Sequence, residues 1–173
     1  NLLFVLFVLL ISAAIATAQR WEKVTNIPSP YSSNYWLDVY FYPSNTNYGW
    51  VCGFNGRVAF TTDGGNSWRG STVPDAYHLE SIHFPTLTTG YTSGVDGIFK
   101  STDGGQTWVN VTPAGAADTT TFWGCYFLNE NYGMVVGDGC GGRQQHFWLT
   151  TDGGSTWSVF LGSENNSGMT DVL

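Results

Sequence analysis

Hydrolysis of a glycosidic bond needs two carboxylates about 5 to 9.5 Å apart, and Asp38, Glu80 and Asp96 are the acids that could approach one cleft. Their spacing does not separate them from ordinary solvated acids, so no catalytic residue is assigned. His78, His83 and His146 lack a ligand spacing such as His-x3-His, and no metal ligand is assigned either. Asp138, Cys140 and His146 share one stretch of chain and form the nearest approach to a metal-like grouping. Asp63, Asp103 and Asp152 each open an Asp-Gly-Gly triplet. A calcium loop would need further carboxylates at alternating positions, which these segments lack. A tight turn needs only an acid to accept backbone N–H groups and glycines free to take positive φ. Six lysines and arginines against 13 acids leave a net charge of −7 and no basic stripe, so nucleic acid is not an expected partner. No cofactor is expected.

These candidate residues sit in a repeat. Thr61-Thr62-Asp63-Gly64-Gly65-Asn66-Ser67-Trp68, Ser101-Thr102-Asp103-Gly104-Gly105-Gln106-Thr107-Trp108 and Thr150-Thr151-Asp152-Gly153-Gly154-Ser155-Thr156-Trp157 superimpose. Upstream of each lies a glycine-bounded run: Gly49-Trp50-Val51-Cys52-Gly53, Gly90-Tyr91-Thr92-Ser93-Gly94 and Gly133-Met134-Val135-Val136-Gly137. Further upstream are strand-like runs ending in Phe41, Phe84 and Phe127, which fall 43 residues apart both times. That period suits a four-stranded propeller blade rather than a helical repeat. Each unit reads as four strands, the Phe-ending run being the innermost. In the third strand Val58, Ile98 and Phe147 share one face and Phe60, Lys100 and Leu149 the other. Aromatics at 16%, 22 glycines and only 11% charged residues agree with short strands and tight turns.

The segments resemble the Asp-box (BNR) repeat of sialidases, sortilin-type receptors and xyloglucanases. The longer unit, over roughly residues 21–161, is most similar to the photosystem II stability and assembly factor-like propellers. The resemblance implies an all-β fold, a β-propeller of four-stranded antiparallel blades with about three blades present. It also implies that Asp63, Gly65 and Trp68, with Asp103, Gly105, Trp108, Asp152, Gly154 and Trp157, build structural turns at the blade periphery, away from a ligand face. Sialidase-like chemistry would need an arginine cluster with a Tyr/Glu pair, whereas this chain has only Arg20, Arg57, Arg69 and Arg143. The assembly-factor resemblance implies protein binding.

If consecutive strands alternate in direction, the Asp-box turns share one face with loops 42–48, 85–89 and 128–132. The opposite face collects 28–35, 54–57, 74–78, 95–97, 113–121 and 138–146. Loops on a rigid scaffold concentrate binding residues, and Arg57, Tyr77, His78, Asp96, Arg143 and His146 are the candidates there. The third unit is longer within 138–146, an insertion that is either functional or a tolerated surface variation. The expected function is a non-catalytic module binding a protein or carbohydrate, monomeric when full length. The alternative is a glycoside hydrolase, sialidase-like or xyloglucanase-like, whose catalytic residues lie partly outside this chain.

Leu2 to Ala16 are apolar except for Ser12, and Ala16-Thr17-Ala18 has the small-x-small pattern of a signal-peptidase site. Residues 1–18 therefore read as a signal peptide lacking its charged start, with an uncleaved anchor as the alternative. Either way the remainder, 19–173, is expected to be exported to the periplasm, cell surface or medium, with no transmembrane span beyond the signal segment. It reads as an incomplete propeller with blades over 36–74, 79–113 and 122–161. Residues 20–28 look like the strand after an Asp box and are expected to be a closing strand separated from its own blade. Three-blade chains completing a ring as oligomers are the alternative. Among three cysteines, Cys52 should lie too far from Cys125 to bond, and Cys125 with Cys140 is the feasible pair, against a buried core thiol at Cys125.

Overall fold

The computed structural model of the chain describes residues 23–114, 116, 120–138 and 145–161. Period-two runs of apolar and β-branched residues, punctuated by glycine, fold into twelve strands. Strands β1 (Trp36–Phe41), β2 (Gly49–Gly53), β3 (Arg57–Thr61) and β4 (Arg69–Thr72) form one sheet in that order. β5 (Leu79–His83), β6 (Gly90–Gly94), β7 (Gly97–Ser101) and β8 (Val109–Asn110) form a second, and β9 (Thr121–Phe127), β10 (Gly133–Asp138), β11 (Gln145–Thr150) and β12 (Ser158–Leu161) a third. All neighbours pair antiparallel. One 3-10 turn, Tyr31–Ser33, is the only helical element among the described residues. The described residues thus form three consecutive propeller blades.

The Phe-ending strands are the inner ones, since β1 packs on β5 and β5 on β9. Each is bulged at the same place, where Leu37, Glu80 and Trp123 are skipped by the ladder. A bulge adds local twist, which curves each strand around the axis. Side chains next to the bulges then tie one inner strand to the next. The Asp38 carboxylate accepts the Ile82 amide at 2.8 Å, and Ser81 Oγ, one blade on, accepts the Cys125 amide at 3.2 Å. Tyr40, His83 and Tyr126, at equivalent positions, run ring against ring at 4.6 and 4.5 Å.

Further out, one aromatic device joins successive blades. Trp50 stacks on Phe84 with centroids 3.8 Å apart and donates its indole N–H to the Gly104 carbonyl at 2.9 Å. Tyr91 stacks on Phe127 at 3.5 Å and donates its hydroxyl to the Glu130 carbonyl at 2.8 Å. Both rings are fully buried, so stacking and polar satisfaction come together. Lys100 adds a bond from Nζ to the Gly153 carbonyl at 3.0 Å, so this third-strand side chain grips the turn of the next blade.

The Asp-Gly-Gly turns dock on the preceding loop of their own blade. Gly64, Gly104 and Gly153 donate to the carbonyls of Asn47, Thr88 and Asn131 at 2.9, 2.8 and 2.9 Å, which puts turns and loops on one face as expected from strand alternation. The second glycines of the triplets hold φ of +90°, +94° and +87°, the left-handed region that favours glycine.

Residues 23–28, part of the segment read as a closing strand separated from its own blade, carry no regular structure. Their contact with the first blade is the side chain of Asn26, which donates to the Gly65 and Asn66 carbonyls at 3.0 and 2.6 Å. Cys52 is a buried free thiol whose Sγ lies 3.5 Å from the Leu79 carbonyl. Buried Cys125 faces Ser81 Oγ and the Tyr91 carbonyl instead. Cys140, Arg143, residues 1–22 with their proposed signal segment, and most of the 138–146 insertion lie outside the described residues.

Candidate functional site

The three Asp-Gly-Gly carboxylates are occupied by their own turns. Asp63, Asp103 and Asp152 accept the hydroxyls of Ser67, Thr107 and Thr156 at 2.6 Å each, and the amides of the same residues at 2.8, 2.9 and 2.8 Å. Thr61, Ser101 and Thr150 donate from the other side at 2.8, 2.9 and 3.0 Å. The Ser67 hydroxyl and amide, aided by Thr61, hold the Asp63 carboxyl below the ordinary aspartate range, and Thr156 does the same for Asp152. At Asp103 partial burial pushes upward, but the bonds from Thr107, Ser101 and Gln106 outweigh it. Carboxylates engaged in this way support a turn and have little left with which to hold a ligand.

The opposite face is built differently. The β2–β3 connection presents Phe54, and the chain entering β5 presents Tyr77 and His78. Phe54 and His78 form an isolated antiparallel bridge, and the Gly56 amide donates to the Tyr77 carbonyl at 3.1 Å. This backbone frame sets four rings in one ladder. Tyr35 meets Phe54 at 5.5 Å, Phe54 stacks on His78 at 4.0 Å, and His78 stacks on Tyr77 at 4.5 Å. The end rings are open, Tyr35 being 73% exposed and Tyr77 60%. Two glycines permit the close approach. A Cβ on Gly53 would collide with the Tyr35 carbonyl, and one on Gly94 with the His78 carbonyl. Asp96 fixes the ladder by accepting both the Tyr77 and His78 amides on one oxygen.

Of the residues expected on this face, the fold therefore unites Tyr77, His78 and Asp96, with Asp96 in a supporting role. Arg57 is used locally, donating to the Pro30 carbonyl at 2.7 Å beneath the Tyr31 ring. His146 belongs to the third blade, edge-on to Trp148 at 5.2 Å, with its buried Nδ1 unpartnered among the described residues. Tyr35 and Phe54 were missed by sequence reasoning. Their only signal was an aromatic in a loop segment, which means little until the bridge brings the two loops together.

The acids offered for catalysis fare similarly. Asp38 accepts the Val39 amide on one oxygen at 2.7 Å and that of Ile82 on the other, so its carboxylate is structural. Burial raises the Glu80 carboxyl above its ordinary range, offset in part by nearby His78. His83 accepts the Phe127 amide on Nδ1 at 3.4 Å, and burial lowers its pKa to about 4, the behaviour of a packed neutral imidazole. Among the described residues no three His, Cys, Asp or Glu side chains gather to hold a metal ion, and no helix is long and apolar enough to cross a membrane.

The family described as Photosynthesis system II assembly factor YCF48 matches residues 13–116, more than half of the chain. No curated protein sequence matches significantly. An ancestral GH74 enzyme is similar in structure with a TM-score of 0.61 at 16% identity, over 73% of this chain and 20% of that one. YCF48 bound to D1 peptide superimposes with a TM-score of 0.58 at 21% identity, over 73% of this chain and 40% of that one. YCF48 from Cyanidioschyzon merolae gives 0.58 at 22% identity, over 73% and 39%. The chain spans between 20% and 40% of the length of these structures, and at such identities the likeness establishes the β-propeller fold alone.

Proposed function

This chain belongs to the Photosynthesis system II assembly factor YCF48 family, and from that premise we propose that it is a non-catalytic binding propeller that takes its ligand on the face opposite the Asp-Gly-Gly turns. The observation that carries this reading is the four-ring ladder Tyr35–Phe54–His78–Tyr77, held by backbone bonds across two blades with both ends open. Rigid exposed aromatics supply contact area at low entropic cost, which is what a recognition surface needs. The engagement of Asp38 and Asp96 by backbone amides supports binding over acid–base chemistry. A relative that holds a D1 peptide makes a protein segment one ligand class, and a glycan is the other. The apolar run at residues 2–16 supports a site of action outside the cytosol.

A hydrolase reading has one observation in its favour, the raised carboxyl of Glu80, since a general acid must be protonated near neutral pH. Among the described residues the charged group acting on Glu80 is His78, not a second carboxylate. The deciding experiment screens the full chain against peptide and oligosaccharide panels, with product analysis on every sugar that binds. Binding without turnover, weakened by Tyr77→Ala and untouched by Glu80→Gln, is the expected result. Turnover abolished by Glu80→Gln would overturn it.

A further inference from the structure

We propose that this face takes a basic protein segment, bound extended, with an arginine or lysine at the Tyr77 end of the ladder and apolar side chains toward Tyr35. The inference rests on the binding reading above and names the partner's chemistry. Three observations point to it.

The first is the sign of the charge. Asp75 is exposed two residues before Tyr77, and its side chain forms no hydrogen bond or ion pair among the described residues. Asp96 uses one carboxylate oxygen on the Tyr77 and His78 amides, and no bond among the described residues occupies the other. Glu80 lies close enough to His78 for their charges to interact. The basic side chain described on this face, Arg57, is drawn aside, donating to the Pro30 carbonyl at 2.7 Å and lying 5.9 Å from the Tyr31 centroid. In a chain of net charge −7 the ladder thus has a negative rim. A cation there gains both the field of the carboxylates and the face of an exposed tyrosine ring.

The second is the inequality of the two ends. The carboxylates gather at Tyr77 and His78, whereas the polar groups at Tyr35 are carboxamides. Asn55 reaches Asn34 with its amide at 3.4 Å, and Asn34 donates to the Tyr35 carbonyl at 3.3 Å. Carboxamides both donate and accept, which matches them to peptide groups. Val95, 38% exposed and donating its amide to the His78 carbonyl at 3.1 Å, adds an apolar flank. A polyamine, cationic along its whole length, would set ammonium groups over the uncharged end. A neutral sugar would leave Asp75 unanswered.

The third is length. Steps of 5.5, 4.0 and 4.5 Å carry the ladder over at most about 14 Å. An extended chain rises about 3.3 Å per residue and points every second side chain the same way, so side chains i, i+2 and i+4 span about 13 Å. Three side chains of such a segment can meet the ladder, with the cationic one over Tyr77.

The test captures a library of end-blocked pentapeptides on the full chain. Either end position carries Arg, Lys, Gln or Glu, and the other odd positions carry apolar residues. The best binder is then titrated by calorimetry beside spermidine and cello- and chito-oligosaccharides. Arg or Lys should be enriched over Glu about tenfold or more, and Asp75→Asn and Tyr77→Ala should each weaken the peptide about three- to tenfold. Raising the salt from about 50 to about 500 mM should weaken the parent complex more than that of Asp75→Asn. Asp75 holds φ of +59°, which asparagine also tolerates, so this variant removes the charge and keeps the turn. Thermal melts check that both variants are folded. Equal capture of Arg and Glu peptides, or peptide binding indifferent to Asp75→Asn, overturns the inference. If spermidine or a sugar binds in a Tyr77-dependent way and no peptide does, the ligand class is wrong while the binding face stands. If no ligand depends on Tyr77, both fall.

Discussion

The two faces of the propeller are built on opposite logics. On the Asp-Gly-Gly face the same bonds recur blade after blade, with the aspartate-to-hydroxyl distance 2.6 Å three times and the glycine-to-loop distance between 2.8 and 2.9 Å. On the other face the connections differ. One presents Phe54 and Asn55, the next places Asp96 under two amides, and Tyr77 and His78 bridge between blades. A bond that recurs in every blade serves what every blade needs, which is closure of its own turn and attachment to its neighbour. A cluster made once serves something the blades do not share. The comparison therefore separates scaffold from site without any appeal to a particular reaction.

Removing the device that repeats should do the most damage. Trp50→Ala leaves a cavity against Phe84 and orphans the Gly104 carbonyl, and the expected cost is about 3 to 5 kcal/mol in urea unfolding. Trp50→Phe, which keeps a ring on Phe84 but no N–H, should recover most of that. A loss under about 1 kcal/mol for Trp50→Ala would mean that the seam between blades is not where stability resides.

The inner ring should respond to acid. His83 titrates near 4 in the fold because of burial, below the ordinary value of about 6.5, so the unfolded chain binds the proton first as pH falls. Its contribution is whole above pH 6.5 and is lost progressively as pH drops toward 4, on the order of 2 kcal/mol after allowance for solvent screening. Urea midpoints across that window should fall in the parent chain and stay flatter in His83→Phe, measured against the parent. Like Trp50, this residue tests the repeated scaffold, where Tyr40 and Tyr126 hold its place in neighbouring blades.

The turn acids come next in size. Asp103→Ala strips the Thr107 hydroxyl and amide and Ser101 of their acceptor, with an expected loss of about 1 to 2 kcal/mol above pH 4. Since the native carboxyl sits below its ordinary value, this contribution is present above about pH 4 and disappears as pH falls through the lowered native value. Parent and variant should therefore converge in acid. Divergence there would show that the turn is held by something other than the ionised aspartate.

These differences also explain what could be read from the sequence. The repeat was legible because the Phe-ending runs recur at an even period and each Gly-Gly turn is followed by Trp at the same offset, and the strands, the inner position of Phe41, Phe84 and Phe127, and the shared face of turns and loops all follow from it. The ladder was only half legible. Tyr77, His78 and Asp96 stood out as loop residues, but their union with Phe54 and Tyr35 depends on a bridge between loops of different blades that no local pattern announces. The inter-blade roles of Asp38 and Lys100 were likewise hidden, because a carboxylate or ammonium in sequence gives no sign of which backbone group will satisfy it.

The smallest expected effect is the sharpest test of the comparison. Tyr77 touches the fold through one stacked face, and its residue remains 60% exposed. The backbone frame beneath it is held by Asp96, the Phe54–His78 bridge and the Gly56 amide, none of which involves the phenol ring. Tyr77→Ala should thus change the unfolding free energy by no more than about 0.5 kcal/mol, as for a surface substitution, while Asp96→Ala, which orphans two amides, should cost about 1 to 2 kcal/mol. Urea unfolding of the two variants side by side reads this directly. If Tyr77→Ala costs as much as Asp96→Ala, the ladder is one more piece of scaffold and the asymmetry between the faces loses its functional meaning. If it costs nothing, a large aromatic is being kept at the surface for a reason that stability does not supply.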